Sequence, residues 1–234
     1  MSGIFLDSGD VSEIKKFQAM GIIRGVTTNP SILVKQGIKG GLPGVHVHCI
    51  QIAKLIDPLP LSVEVTNNDP DGMKSQALEF SKWAANINLK IPIHGPNGEL
   101  ENLKLVHELE SFHKVRVNVT AMMNVQQCFL AAMAGATYVS LFGGRINDMG
   151  YDSCKEISRL RHLLDEFKLP AQIIVGSCRE ALNIMEWFEA GAHIVTAPPK
   201  FLETLIIHPH SKETVSQFVK DGARLEDWKV REAK

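Results

Sequence analysis

The run Ile87-Asn88-Leu89-Lys90-Ile91-Pro92 sets a lysine inside a short apolar stretch of strand-forming residues, where an ordinary surface lysine has no reason to be. Burying an ammonium costs several kcal/mol unless it is paired or neutralised, so a lysine inside a strand buried on both faces calls for a function. Desolvation lowers the pKa of an amine, and a neutral amine attacks carbonyl carbon to form a Schiff base. The alternative reading is a lysine on an edge strand whose head reaches water along its own aliphatic stem.

The same pattern, an apolar run ending in polar residues, recurs along the chain. It is found at Ile4-Phe5-Leu6-Asp7, Gly25-Val26-Thr27-Thr28-Asn29-Pro30, Leu61-Ser62-Val63-Glu64-Val65-Thr66 and Val115-Arg116-Val117-Asn118-Val119-Thr120. It returns at Thr137-Tyr138-Val139-Ser140-Leu141-Phe142, Gln172-Ile173-Ile174-Val175-Gly176-Ser177 and His193-Ile194-Val195-Thr196-Ala197-Pro198. Between the runs lie segments of helical period at 11–20, 71–85, 124–134, 152–167 and 179–190, most of them closed by glycine or proline. Strict alternation of strand and helix predicts a parallel sheet, and eight such units predict a closed α/β barrel, the (β/α)8 or TIM barrel. An open doubly wound sheet is the competing arrangement. It would want a glycine-rich phosphate loop after the first strand, and Asp7-Ser8-Gly9-Asp10 is not one.

Across 234 residues no Pro/Ser-rich or charged linker appears, so residues 1–234 read as a single barrel domain, with 211–234 as a C-terminal helical extension. The formal net charge of −1, with acids and bases interspersed, gives no electrostatic footprint for nucleic acid or an anionic membrane. Small molecules are the expected partners. With no basic stretch leading into an apolar segment at the N-terminus, and no apolar run long enough for a bilayer, a cytoplasmic protein is expected.

Cys49, Cys128, Cys154 and Cys178 form neither a CxxC pair nor a secreted disulfide pattern; the first three read as packing residues, and Cys178, at a predicted strand end, has no dedicated histidine base nearby that would make it a nucleophile. His46-x-His48 and His208-Pro209-His210 lack helical i,i+4 spacing and nearby acidic or thiol partners, so no metal site is expected. Gly37, Gly40, Gly41 and Gly44 read as a flexible surface loop after the second strand. No lysine-serine or lysine-threonine pair closes it into a phosphate cradle.

A barrel would gather Asp7, Asn29, Glu64, Lys90, Asn118, Thr120, Ser140 and Ser177 at the C-terminal strand ends, around one mouth, with Arg145 and Arg179 in the loops just beyond. The set has a chemical sense: an amine to attack a ketone, carboxylates to move protons, amides and hydroxyls to hold a polyol, arginines to hold a distal anion. Singly, Asp7 could be a helix cap, Asn29 a turn residue before Pro30, and Arg145 a surface ion pair. Their joint placement at successive strand ends is what those readings leave unexplained.

Six motifs carry a resemblance. Phe5-Leu6-Asp7, Gly25-Val26-Thr27-Thr28-Asn29-Pro30-Ser31, Leu89-Lys90-Ile91-Pro92, Asn118-Val119-Thr120, Ala134-Gly135-Ala136-Thr137-Tyr138-Val139-Ser140 and Phe142-Gly143-Gly144-Arg145 resemble the signatures of the transaldolase family. Within it the chain is similar to the short subfamily that includes fructose-6-phosphate aldolase, from about residue 4 to about 222. The resemblance implies a lysine Schiff base formed without cofactor or metal, on sugar-phosphate substrates. Lys90 would attack the ketose C2, and Asp7 would take the C4 hydroxyl proton as the C3–C4 bond breaks. Glu64 and Thr120 would position the relay water, and Thr28, Asn29, Asn118, Ser140 and Phe142 would surround the retained dihydroxyacetone unit. Arg145, Ser177 and Arg179 match the phosphate grip. The subfamily's ring-shaped pentamers and decamers, with a C-terminal helix reaching a neighbour, imply a homo-oligomer.

Aldolase members resemble one another in carrying glutamine at the position of Glu64 and tyrosine at that of Phe142, so this chain looks more like a transaldolase. It departs from the family in Ala121-Met122-Met123-Asn124 after Thr120, in Ser8-Gly9 after Asp7, and in the glycine-rich segment 37–44. These departures flank the mouth and leave three functions open: a transaldolase, on phosphorylated, sulfonated or unusual sugars; an aldolase releasing free dihydroxyacetone; and a non-catalytic barrel.

Overall fold

A computed structural model describes residues 2–232, with side chains through Leu225. Eight parallel strands close on themselves in sequence order, from β1 (Gly3–Asp7) and β2 (Ile23–Thr27) through β3 (Leu61–Glu64), β4 (Ile87–Pro92) and β5 (Val117–Met122) to β6 (Tyr138–Leu141), β7 (Gln172–Val175) and β8 (Ile194–Ala197). β1 pairs with both β2 and β8, which closes the ring and excludes the open sheet. Helices α1 (Val11–Ala19), α2 (Pro30–Lys35), α3 (Gly41–Ile56), α4 (Pro70–Phe80), α5 (Glu101–Glu108), α6 (Val125–Met133), α7 (Gly143–Asp148), α8 (Ser153–Glu166) and α9 (Leu182–Glu189) fill the connections. α5 runs on into a π turn, Leu109–His113.

Helix starts follow local chemistry. Asp10 caps α1 by accepting from Ser12 N and Glu13 N at 2.8 and 3.1 Å, and Asp69, Asn124 and Asp152 cap α4, α6 and α8 in the same way. Apart from Arg24 in β2 and the partly exposed ends of β1, the strands are largely buried on both faces, as helices packed outside a barrel require. Inside, Phe5, Tyr138, Ile174 and Ile194 form one cluster, and Phe5 meets Tyr138 edge to face with ring centroids 6.5 Å apart. Gly25 makes room for that plug, because a Cβ there would lie 2.7 Å from the Phe5 ring.

Two sequence expectations need correction. Residues 41–44 are not loop: they form the first turn of the 16-residue α3, whose Cys49, Ile52, Ala53 and Ile56 pack inward at helical spacing. Gly37, Gly40 and Gly41 have φ of 67°, 90° and 60°, so the glycines turn the chain into the helix instead of loosening it. The helix expected over 71–85 stops at Phe80, and Trp83 lies beyond it, stacked on Phe80 at 4.0 Å and against His46 at 4.6 Å.

Residues 1–199 form one compact unit that contains all eight strands. The described residues from 200 onward belong to a second unit, with α10 (Pro199–Ile206) and α11 (Pro209–Glu232). No helix among the described residues is long and apolar enough to cross a membrane.

Candidate active site

A cavity of about 290 Å³ opens at the C-terminal ends of the strands. Its wall carries Asp7, Asn29, Lys90, Asn118, Thr120, Ser140, Phe142, Arg145, Ser177 and Arg179. Lys90, Asn118, Thr120 and Ser140 are buried and make the floor, while Arg145 and Arg179 are exposed at the rim.

Lys90 is 5% exposed, in the middle of β4. Its Nζ donates to the Thr28 carbonyl at 3.0 Å and lies 3.3 Å from Glu64 Oε2. The strand register puts Glu64 directly beside Lys90 and Lys90 beside Asn118, so the three side chains share one layer of the barrel. This is not an edge strand, since β4 pairs with both β3 and β5, and Lys90 lines the cavity. Glu64 reaches the site through Lys90 and is not part of the cavity wall. Thr28 is not part of the cavity wall: its hydroxyl donates to the Ser62 carbonyl at 2.8 Å, and its backbone oxygen accepts from Lys90. Of these two neighbours, Thr27 is the one that lines the cavity.

Asp7 does not cap α1, a task that falls to Asp10. One of its oxygens, Oδ1, accepts from Thr27 Oγ1 at 2.8 Å. Burial pushes its carboxyl above the usual aspartate range, opposed by the Lys90 charge, the Thr27 hydrogen bond and the Lys35 charge. Ser140 Oγ donates to Asn118 Oδ1 at 2.6 Å and Asn118 Nδ2 donates to Ser62 Oγ at 3.1 Å, which fixes the amide. Asn29 accepts from Ile32 N through Oδ1 at 2.9 Å, capping α2, and this leaves its Nδ2 as the donor for a ligand.

The Thr120 hydroxyl is buried on the cavity wall with no hydrogen-bond partner among the described residues. Such a group costs about 1–3 kcal/mol if left unmet, so its place on the cavity wall offers a ligand a hydrogen-bonding partner. The bulge between Val119 and Met122, with Ala121 at φ 60°, ends regular pairing just beyond it.

At the rim, the Arg145 guanidinium lies 5.3 Å from the Phe142 ring centroid, a cation–π contact in place of the surface ion pair. Arg179 donates from Nε and Nη2 to Asp148 Oδ2 at 2.9 and 2.6 Å, and its backbone N–H donates to Asn183 Oδ1 at 3.1 Å. Ser177 has φ 64°, unusual for a residue with a side chain, and its carbonyl packs where a Cβ on Gly144 would be. Gly143 and Gly144 are therefore steric requirements: a Cβ on Gly143 would meet Trp187 and Val175 at 2.7 and 2.8 Å.

Several wall residues were not anticipated: Thr27, Ser31, Ile32, Lys35, Cys178 and Thr196. Thr27 shows itself in the period of two along β2, which sets Gly25 and Thr27 on the same face. Lys35, at the end of α2, had no local signal. Cys178 donates its thiol to the Thr196 carbonyl at 3.6 Å, and burial pushes its pKa up to about 12, so it stays a thiol. His48 hydrogen-bonds the Gly9 carbonyl at 2.7 Å and His46 stacks on Trp83, so each ring has a structural contact.

A family model described as Transaldolase/Fructose-6-phosphate aldolase matches residues 4–234. A protein named "Probable transaldolase" from Carboxydothermus hydrogenoformans is 37% identical over 218 residues, covering 93% of this chain and 96% of the relative. "Probable transaldolase 2" of Listeria monocytogenes is 40% identical over 217 residues, 93% and 94% of the two chains. Among solved structures, a dihydrodipicolinate synthase from Thermotoga maritima superposes with TM-score 0.63 at 10% identity, over 86% of this chain and 71% of that one. Another from Rhodopseudomonas palustris gives 0.60 at 15%, over 94% and 79%. At such low identity these two bear on the barrel fold alone.

Proposed function

The chain belongs to the transaldolase/fructose-6-phosphate aldolase family, and on that premise we propose that it is a Schiff-base transaldolase, moving a dihydroxyacetone unit from a ketose phosphate such as fructose 6-phosphate or sedoheptulose 7-phosphate to an aldose phosphate. The observation that carries this reading is a buried Lys90 lining a cavity it shares with Asp7, with a carboxylate 3.3 Å from its amine to take up protons.

In this mechanism the deprotonated Lys90 amine adds to the ketose C2, and the carbinolamine loses water to give an iminium. Glu64 and the Thr120 hydroxyl position the water that relays a proton to the departing C2 hydroxyl, which leaves as water. Asp7 then removes the C4 hydroxyl proton; the C4 carbonyl forms, the C3–C4 bond breaks, and its electron pair moves through C2 into the iminium, leaving a neutral enamine on Lys90. An acceptor aldehyde takes the place of the departed aldose. C3 of the enamine attacks it, Asp7 returns its proton to the new alkoxide, and water hydrolyses the iminium to free Lys90. Asn29, Asn118 and Ser140 hold the hydroxyls of the three-carbon unit throughout. Arg145, Arg179 and Ser177 grip the phosphate at the rim, with planar donors suited to a tetrahedral oxyanion.

Transfer is favoured over release by Glu64 and Phe142, since an apolar ring beside the enamine gives a protonating water nothing to hold. The test is fructose 6-phosphate with and without erythrose 4-phosphate, measuring sedoheptulose 7-phosphate and free dihydroxyacetone. Dihydroxyacetone released without acceptor as fast as transfer proceeds with one would make the enzyme an aldolase. The same rim would accept a sulfonate, so 6-deoxy-6-sulfofructose belongs in the donor panel.

A further inference from the structure

Thr27 Oγ1 donates to Asp7 Oδ1 at 2.8 Å and lies 2.5 Å from Thr196 Oγ1. A hydroxyl has one proton, and that of Thr27 is engaged by the carboxylate, so at the second contact Thr27 accepts and Thr196 donates. The direction of the chain is thereby fixed from Thr196 to Thr27 to Asp7, across β8, β2 and β1. Thr27 sits beside Asp7 in the strand register, and Thr196 sits beside Phe5, one inward-facing position before Asp7. Both threonines line the cavity, and they are only 2% and 8% exposed. Among the described residues neither hydrogen-bonds Lys90, whose amine is held instead by the Thr28 carbonyl and Glu64.

We propose that Thr196 is a positioning residue for the carbon–carbon bond step, acting through Thr27 to hold Asp7 Oδ1 so that Oδ2 faces the C4 hydroxyl. The inference rests on Asp7 being the base that takes that proton. Two aligned hydroxyl dipoles pointing at a carboxylate stabilise its charged form and polarise each other. The other groups bearing on Asp7 are the Lys90 ammonium from β4, the Lys35 ammonium from α2 and the Cys178 thiol after β7. Both ammonium groups favour the carboxylate too, and the hydroxyl chain adds direction, which a point charge does not. No proton leaves the threonines: the C4 proton goes to Oδ2, and the pair from C3–C4 goes to the iminium.

The test compares Thr196→Val, which keeps the shape and removes the hydroxyl, with Thr196→Ser, which keeps the hydroxyl. Thr196→Val should lower kcat for transfer roughly tenfold, the usual effect of losing one hydrogen bond in a buried network. It should raise the acid limb of kcat/KM, yet leave the rate of borohydride-trappable adduct formation on Lys90 unchanged. Thr196→Ser should restore kcat and the limb. Because Thr196 acts through Thr27, the double variant with Thr27→Val should be no slower than Thr27→Val alone. Additive losses, an unchanged kcat in Thr196→Val, or an equal slowing of adduct formation would overturn the proposal. Should Thr196→Val not fold, Thr196→Ala against Thr196→Ser gives the same comparison. Asp7→Asn separates the two levels: retained bond cleavage there refutes the role of Asp7 itself, whereas lost cleavage with a fully active Thr196→Val refutes only the role of Thr196.

Discussion

Replacing Arg145 or Arg179 with alanine should weaken phosphorylated substrates without touching the chemical step. A hydrogen bond to a charged group contributes about 1.5–3 kcal/mol, which is roughly 10- to 150-fold in binding. Arg145 belongs at the upper end, because its guanidinium rests on the Phe142 ring and keeps its N–H groups for an anion. Arg179 belongs at the lower end, about tenfold, because Nε and Nη2 already serve Asp148 Oδ2. The Arg179–Asp148 pair is half exposed on both sides and so contributes only about 0–1 kcal/mol to stability, too little for unfolding to be the cause of a kinetic loss. The assay is steady-state kinetics with fructose 6-phosphate and, in parallel, free fructose. KM for the phosphate ester should rise with kcat nearly constant, and free fructose should be almost indifferent. Asp148→Asn should leave KM for the ester equal or lower, since it frees donors on Arg179. Equal losses on both sugars, or a fall in kcat larger than the rise in KM, would refute the placement of the anion at this rim.

Other expectations follow from the same geometry. In the proposed mechanism Asp7 works as a carboxylate, and burial raises its pKa, so activity should fall as pH drops through a limb lying above the ordinary carboxylate range; Lys35→Met removes a charge that opposes the shift and should move that limb higher still, read from kcat/KM against pH. Gly144→Ala drives a Cβ into the Ser177 carbonyl and should cost about 1–3 kcal/mol in urea unfolding while raising KM for phosphorylated donors, because Ser177 and Arg179 shift together; an unchanged midpoint and KM would show the contact to be soft. Phe142→Tyr supplies a hydroxyl that can order water beside the enamine, so free dihydroxyacetone should rise relative to transfer, and further when combined with Glu64→Gln; an unchanged ratio would remove these two positions from the control of release.

The barrel was legible because each strand is a short apolar run between helical segments, and Lys90 stood out because a charge inside such a run is costly. The rim was legible through Arg145 and Arg179, each just past a strand end. What escaped depends on contacts between strands. Thr27 and Thr28 are neighbours of identical chemistry, and only the register against β1 and β3 sends one hydroxyl to Asp7 and the other to the Ser62 carbonyl. Thr196 lies far along the chain from its partner Thr27, and only closure of β8 onto β1 brings the two together. The start of α3 was hidden because glycine is the weakest helix former after proline; the apolar positions that hold this helix in place come later, from Cys49 onward.

The central claim is that Lys90 is the covalent nucleophile, and borohydride reduction in the presence of fructose 6-phosphate, followed by intact mass and peptide mapping, tests it most directly. The account predicts a reduced three-carbon or intact-sugar adduct on the peptide containing Lys90. It predicts none in Lys90→Met or in Lys90→Arg, whose guanidinium stays protonated and cannot form the imine. An adduct on any other lysine, or full activity in Lys90→Met, would contradict it.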